Sequence, residues 1–178
     1  MLAEVGDTRR LTVRAVATAA GVTPPSLYLH FADKQALLRD LLAEGYARFD
    51  AALDGAASGE IDAPSVLRAR CEAYLAFAAG HPGIYRVLFS ATSAGPDHLG
   101  LEVGAGSHPG NASLEALMAS VAACLPRRVD PWPVSVTVWS ALHGLADLRI
   151  TKPELPWPPA TEQVGRLLTG LGLAGDRP

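Results

Sequence analysis

The chain has 178 residues, 49% of them hydrophobic and 19% charged, with a net charge of −3. That balance builds a globular core and excludes disorder as the main state, while a weakly acidic total does not mark the chain as a simple polycation for nucleic acid. No apolar run approaches the roughly 20 residues that span a bilayer, and no basic-then-apolar leader opens the chain, so a cytoplasmic protein without membrane contact is expected.

Thr12 precedes a run in which Val13, Val16, Ala17 and Ala20 recur at helical steps, and its hydroxyl suits the N-cap. Gly21 ends that helix, because glycine accepts the left-handed backbone found just past a helix, and Val22 can drop between helices. Thr23 is a second N-cap. Pro24 stands at the first helical position, where a missing amide hydrogen costs little, and Pro25 is tolerated for the same reason. The spacing predicts a short helix over 24–30 that turns Leu27 and Phe31 inward and Pro25, Ser26, Tyr28 and His30 outward. Asp33 then caps a third helix, with Lys34 at its start. Two short helices on a tight glycine turn, the second with an outward face, are the arrangement of a helix-turn-helix. From Arg9 to Lys34 the charges are four cations against one anion, so the cationic charge gathers on this segment and the remainder is acidic.

Further along, the third helix is expected to reach about Ala52, with Leu37, Leu38, Leu41, Leu42, Tyr46 and Phe49 along its buried stripe. The segment from Asp54 to Ile61 reads as a loop. Asp62 and Pro64 open a helix to about Ala79, Gly80 stops it, and Pro82 starts a short helix to about Ser90. The Gly, Ser and Pro cluster from Thr92 to Gly110 reads as a long loop. Asn111 or Ser113 opens a helix ending near Leu125, and Asp130 with Pro131 caps another. Four prolines between Thr151 and Pro159 make a stiff connector, and a last helix runs from about Ala160 to Leu171. Cys71 and Cys124 fall in separate helical patterns and read as buried free thiols rather than a redox pair.

The fold expected is therefore all-α: an N-terminal helix-turn-helix head over residues 1–50, and a helical bundle over residues 51–178 that dimerises. The last two helices carry more apolar surface than one subunit plainly covers. Val138, Leu142, Val164, Leu167, Leu168 and Leu171 are the residues expected at a two-fold interface; burial of the same stripe within one subunit is the competing reading. Tyr74, Phe77, Phe89, Trp139 and His143 are expected to line an apolar chamber with a few polar tips, suited to a small-molecule effector; a plain aromatic core is the alternative.

Thr12-Val13-Arg14, the Ala19-Ala20-Gly21-Val22-Thr23 turn, Leu27-Tyr28-Leu29-His30-Phe31 and Asp33-Lys34-Gln35-Ala36-Leu37-Leu38 together resemble the DNA-binding domain of TetR-type transcriptional regulators. His81-Pro82-Gly83-Ile84-Tyr85-Arg86 and Trp139-Ser140-Ala141-Leu142-His143-Gly144-Leu145 resemble the WHG-type C-terminal domain of one TetR subgroup. The resemblance implies a homodimeric repressor on a quasi-palindromic double-stranded DNA operator, released by a small molecule, with no cofactor and no metal. It places the DNA contacts at Thr12, Arg14, Thr23, Pro24, Pro25, Ser26, Tyr28, His30 and Lys34. Ser26 and Tyr28 face bases or backbone, the proline pair offers apolar contact, and Thr12, Tyr28, His30 and Lys34 face phosphates. Packing within the head is the alternative for Tyr28 and His30. Leu29 stands where many relatives carry a polar or basic residue, which shifts weight toward recognition of DNA shape. Family members carry a complete first helix ahead of Thr12, whereas here Met1 to Val5 precede the Gly6-Asp7 turn, so a chain extending upstream of Met1 is expected; a mis-assigned start or a protein of reduced DNA affinity is the alternative.

An enzyme is not expected. The chain lacks a nucleophile elbow, a Walker loop and a zinc-protease motif, and Gly104-Ala105-Gly106 has no strand before it. His98 and His108 with Asp97 and Glu102 lie on a loop without metal-ligand spacing. The alternative function is a helical dimer that binds a ligand or a protein and has lost DNA binding.

Overall fold

The computed structural model describes residues 23–90 and 108–175, and among these every regular element is a helix. The seven are α1 (Pro24–His30), α2 (Lys34–Ala57), α3 (Ala63–Gly80), α4 (Pro82–Ser90), α5 (Asn111–Cys124), α6 (Pro131–Thr151) and α7 (Ala160–Gly170). The expected helix between Thr12 and Gly21, and the loop from Thr92 to Ser107, lie outside the described residues.

Local chemistry sets the starts. The Thr23 hydroxyl accepts from the Ser26 amide at 3.4 Å and lies 3.0 Å from the Ser26 hydroxyl, closing the first turn of α1. Asp33 Oδ1 accepts from the Ala36 amide at 2.7 Å and caps α2. Asp62 accepts from both the amide and the hydroxyl of Ser65, each at 2.9 Å, ahead of α3. Asp130 accepts from the Trp132 amide at 3.0 Å ahead of α6. An Asp33→Ala variant is expected to lose about 1 kcal/mol of stability, measured as a lower urea midpoint, because one orphan amide at the start of α2 loses its acceptor.

The end of α7 shows how one glycine closes a helix. Gly172 takes φ +70, which lets its amide reach the Thr169 carbonyl at 3.1 Å and the Leu173 amide reach the Leu168 carbonyl at 2.8 Å. Leu173 then folds back fully buried, the hydrophobic contact that completes a Schellman end.

Helix α2 runs five residues past the expected end at Ala52. Asp54 and Gly55 disfavour helix by composition, but Leu53 is buried and Asp54 pairs with Arg70 of α3, so tertiary contact carries the helix on. Described separately, the compact units are Met1–Arg48 with His81–Asn111, and Phe49–Gly80 with Ala112–Pro178, in each case their described parts. In the first, Tyr46 donates its hydroxyl to the Leu88 carbonyl at 3.1 Å, and Gly45 admits the Leu88 side chain so closely that a Cβ would lie 2.8 Å from it. In the second, α3 packs on both α6 and α7, which also meet each other. Its core includes Phe49, Leu67, Cys71, Leu142 and Leu168. Burial there pushes the Cys71 thiol up to about 12, which keeps it protonated and unreactive.

Candidate nucleic-acid interface and effector region

Helix α1 is seven residues long and presents Pro25, Leu29 and His30 to solvent, with Leu29 84% exposed. At 100° per residue, positions 25, 26, 29 and 30 fall within one arc of the helix, so a single convex face carries them. Ser26 is half-buried, its hydroxyl against that of Thr23; Phe31, expected inward, is half-buried as well, and Leu37 is buried. Thr23 is exposed and caps the helix. An apolar side chain so fully solvated on a short capped helix is free to meet base edges, which include the thymine methyl. Thr12 and Arg14 lie outside the described residues, as do the side chains of Pro24, Tyr28 and Lys34; their backbones sit in the first two helices where expected.

In the second unit, Tyr74 and Phe77 are buried and pack edge-on against Phe49, with ring centroids 5.2 Å away in both pairs. The Tyr74 hydroxyl lies 3.4 Å from His143 Nδ1, so these two expected effector residues do come together. Burial lowers the His143 pKa, and the Asp147 carboxylate opposes that shift. Trp139 is half-buried on the same helix. Phe89 belongs to the other unit, where its ring lies 4.7 Å from Tyr85 and 6.1 Å from Tyr46. Of the five expected chamber residues, Tyr74 and Phe77 pack on Phe49 and Tyr74 also meets His143, Trp139 lies half-buried on the His143 helix, and Phe89 packs with Tyr85 and Tyr46. Tyr46, Phe49 and Tyr85 are aromatic members that sequence reasoning did not place in the effector set. Tyr46 and Phe49 were legible only as part of a buried stripe, which does not say what lies opposite.

The expected interface residues also sort by burial. Val138, Leu142, Val164 and Leu168 are 0–2% exposed, covered by their own chain, whereas Leu167 and Leu171 keep part of their surface. The first four are thus core of the single subunit, because α3, α6 and α7 cover one another's apolar faces. A partner subunit can meet only what those helices leave outside, including Trp132 and Leu148, each nearly half exposed.

Two polar ties fasten α2 to its neighbours in this unit. Asp50 accepts from the Ser113 hydroxyl and Asp54 pairs with Arg70. Burial raises the Asp50 pKa, and the Ser113 hydrogen bond partly offsets it. Among the described residues no group of acidic, histidine and cysteine side chains is placed to hold a metal. No helix among them is long and apolar enough to cross a membrane.

The lowered pKa of His143, and of His108, where burial is the cause, has a signed consequence. In the fold both rings take up a proton at a lower pH than an unfolded histidine, which does so near pH 6.5, so acid favours the unfolded chain. Stability is expected to be level above that pH and to fall as the pH drops from 6.5 toward 5. Urea midpoints across that range test this, with His143→Gln expected to shallow the decline.

The comparisons agree with this geometry. The family model described as bacterial regulatory proteins, tetR family, matches residues 1–41, and that described as tetracyclin repressor-like, C-terminal domain, matches residues 67–170. The chain belongs to the TetR family, whose members are DNA-binding regulators and not enzymes. A solved protein of unknown function from Rhodococcus sp. RHA1 is similar at TM-score 0.70 and 26% identity, covering 98% of this chain and 93% of its own. A second Rhodococcus structure, assigned to the TetR-family transcriptional regulators, is similar in fold at TM-score 0.69 and 20% identity, covering 97% and 93%. No curated protein matches the chain.

Proposed function

We propose that this protein is a transcriptional repressor of the WHG subgroup, acting as a homodimer on a quasi-palindromic operator and released by a small-molecule effector. Residues 1–50 form the reading head and residues 51–178 the ligand-binding and dimerising body. The observation that carries the reading is the solvated arc of Pro25, Leu29 and His30 on a short helix with a capped start. One such helix makes few base contacts, so two half-sites about 34 Å apart supply the affinity and specificity. In the groove, Ser26 and Tyr28 meet bases or backbone and the proline pair meets a thymine methyl. Thr12, Tyr28, His30 and Lys34 hold phosphates, and Arg14 and Thr23 complete the DNA contacts. The partner subunit packs on the outer surfaces of α6 and α7, through Leu167, Leu171 and the exposed parts of Trp132 and Leu148. An effector that prefers one body conformation shifts the head spacing away from that of the half-sites; a 100-fold preference, about 3 kcal/mol, is enough to regulate.

A gel shift with the intergenic DNA beside its own gene tests the proposal. A retarded band at low salt supports it; no band at low salt points instead to a ligand- or protein-binding module without DNA affinity. Tyr28→Ala is expected to weaken operator binding by about 1–3 kcal/mol with the dimer intact, and Lys34→Ala to reduce mainly the salt dependence of binding. Parent-like binding by both variants would contradict the assigned reading face.

A further inference from the structure

The first unit contains a buried donor that the described residues around it do not satisfy. His108, just ahead of α5, is 7% exposed, and its Nδ1 accepts from the Gly110 amide at 3.0 Å. An accepting Nδ1 places the proton of the neutral ring on Nε2, and that atom is closed off from solvent with no hydrogen-bond partner among the described residues. Such groups are rare in native folds because an unmet donor forfeits the hydrogen bond it made to water. The neighbours are aromatic. Tyr46 meets the imidazole edge-on at 5.8 Å, Phe89 meets Tyr46 at 6.1 Å, and Tyr85 lies against Phe89 at 4.7 Å. The absent side chain of Gly110 makes room for the Tyr46 ring: a Cβ there would lie 2.8 Å from two of its carbons.

We propose that His108 Nε2 is the polar recognition point of a second ligand site, built from Tyr46, Tyr85, Phe89 and His108, for a small aromatic molecule carrying one neutral acceptor oxygen such as a ketone or amide carbonyl. This deepens the effector reading above and rests on it for its regulatory meaning. The aromatic edges select a flat apolar ring, and the lone N–H selects one acceptor. A neutral acceptor fits better than a carboxylate, since burial is the cause acting on this imidazole and no charged side chain among the described residues is paired with it. Phe89 is only half-buried near the end of α4, so its ring is the one an entering ligand displaces. The link to DNA is direct in the chain: Tyr46 stands on α2, twelve residues, or about 18 Å of helix, from the Lys34 end that follows α1.

Acetophenone and α-methylstyrene make the test, because they share a shape and only the first carries an acceptor. With full chain labelled with ¹⁵N and ¹³C, acetophenone is expected to shift the His108 Nε2 and Tyr46 ring resonances and to bind about tenfold more tightly than α-methylstyrene, about 1.4 kcal/mol. His108→Phe keeps a planar ring without the donor and is expected to erase that preference; should it fail to fold, the two-probe comparison on the parent decides. Equal binding of the probes, no binding of acetophenone, or shifts confined to Tyr74 and His143 would overturn the site. A gel shift run alongside separates the two ideas: acetophenone held at His108 with the operator still bound supports the site and removes its effector role.

Discussion

Replacing Phe49 with alanine is expected to destabilise the protein by about 3–5 kcal/mol, with a matching fall in the urea midpoint. Phe49 is 1% exposed, and its ring accepts Tyr74 and Phe77 edge-on from α3, with interplanar angles of 82° and 81°. Truncation removes the buried ring, opens a cavity, and takes away the shared partner of two further aromatic residues. The same site sits one residue before Asp50, which is tied to Ser113, so the loss loosens the hold of α5 on α2 as well. A Phe49→Leu variant, which refills much of the volume, is expected to recover over half of the loss. If Phe49→Ala were to cost less than about 1 kcal/mol, the three-ring packing would be wrong.

Leu168→Ala should cost about 2–5 kcal/mol, and its effect distinguishes subunit core from subunit interface. Leu168 is fully buried within the chain, and its carbonyl accepts from Leu173 at the glycine-closed end of α7. The destabilisation is therefore expected to persist when protein concentration is raised, since mass action restores a weakened interface but not a hollowed core. Sedimentation and urea titration at two concentrations measure this. A variant that dissociates into stable monomers would instead put Leu168 at the two-fold contact.

The helix starts were readable from residue order because each depends on partners within a few positions. Thr23, Asp33, Asp62 and Asp130 accept from amides two or three residues ahead, and the proline-led starts at Pro24, Pro82 and Pro131 need only a fixed φ. On α1 the outward positions of Pro25 and His30 were legible for the same reason, while Ser26, expected outward, is half-buried against Thr23. The family likewise rests on the run around Tyr28 and Phe31, a local signature.

What residue order left open depended on contacts between residues far apart in the chain. A stripe such as Val164, Leu167, Leu168 and Leu171 announces that a face is covered, yet whether its own subunit or a second copy does the covering depends on where α3 and α6 lie. The three-dimensional arrangement covers Val164 and Leu168 from within and leaves part of Leu167 and Leu171 outside. The partners of the aromatic residues were likewise unreadable, Phe89 packing on Tyr46 and Tyr85 and Tyr74 and Phe77 packing on Phe49. In the sequence His108 was one of a loop group without metal-ligand spacing, and its Nε2, unmet among the described residues, became visible once Gly110 and Tyr46 were placed beside it. Capping and periodicity are short-range and survive in the one-dimensional string, whereas burial, and with it the cost of an unpaired donor, exists only after distant segments have met.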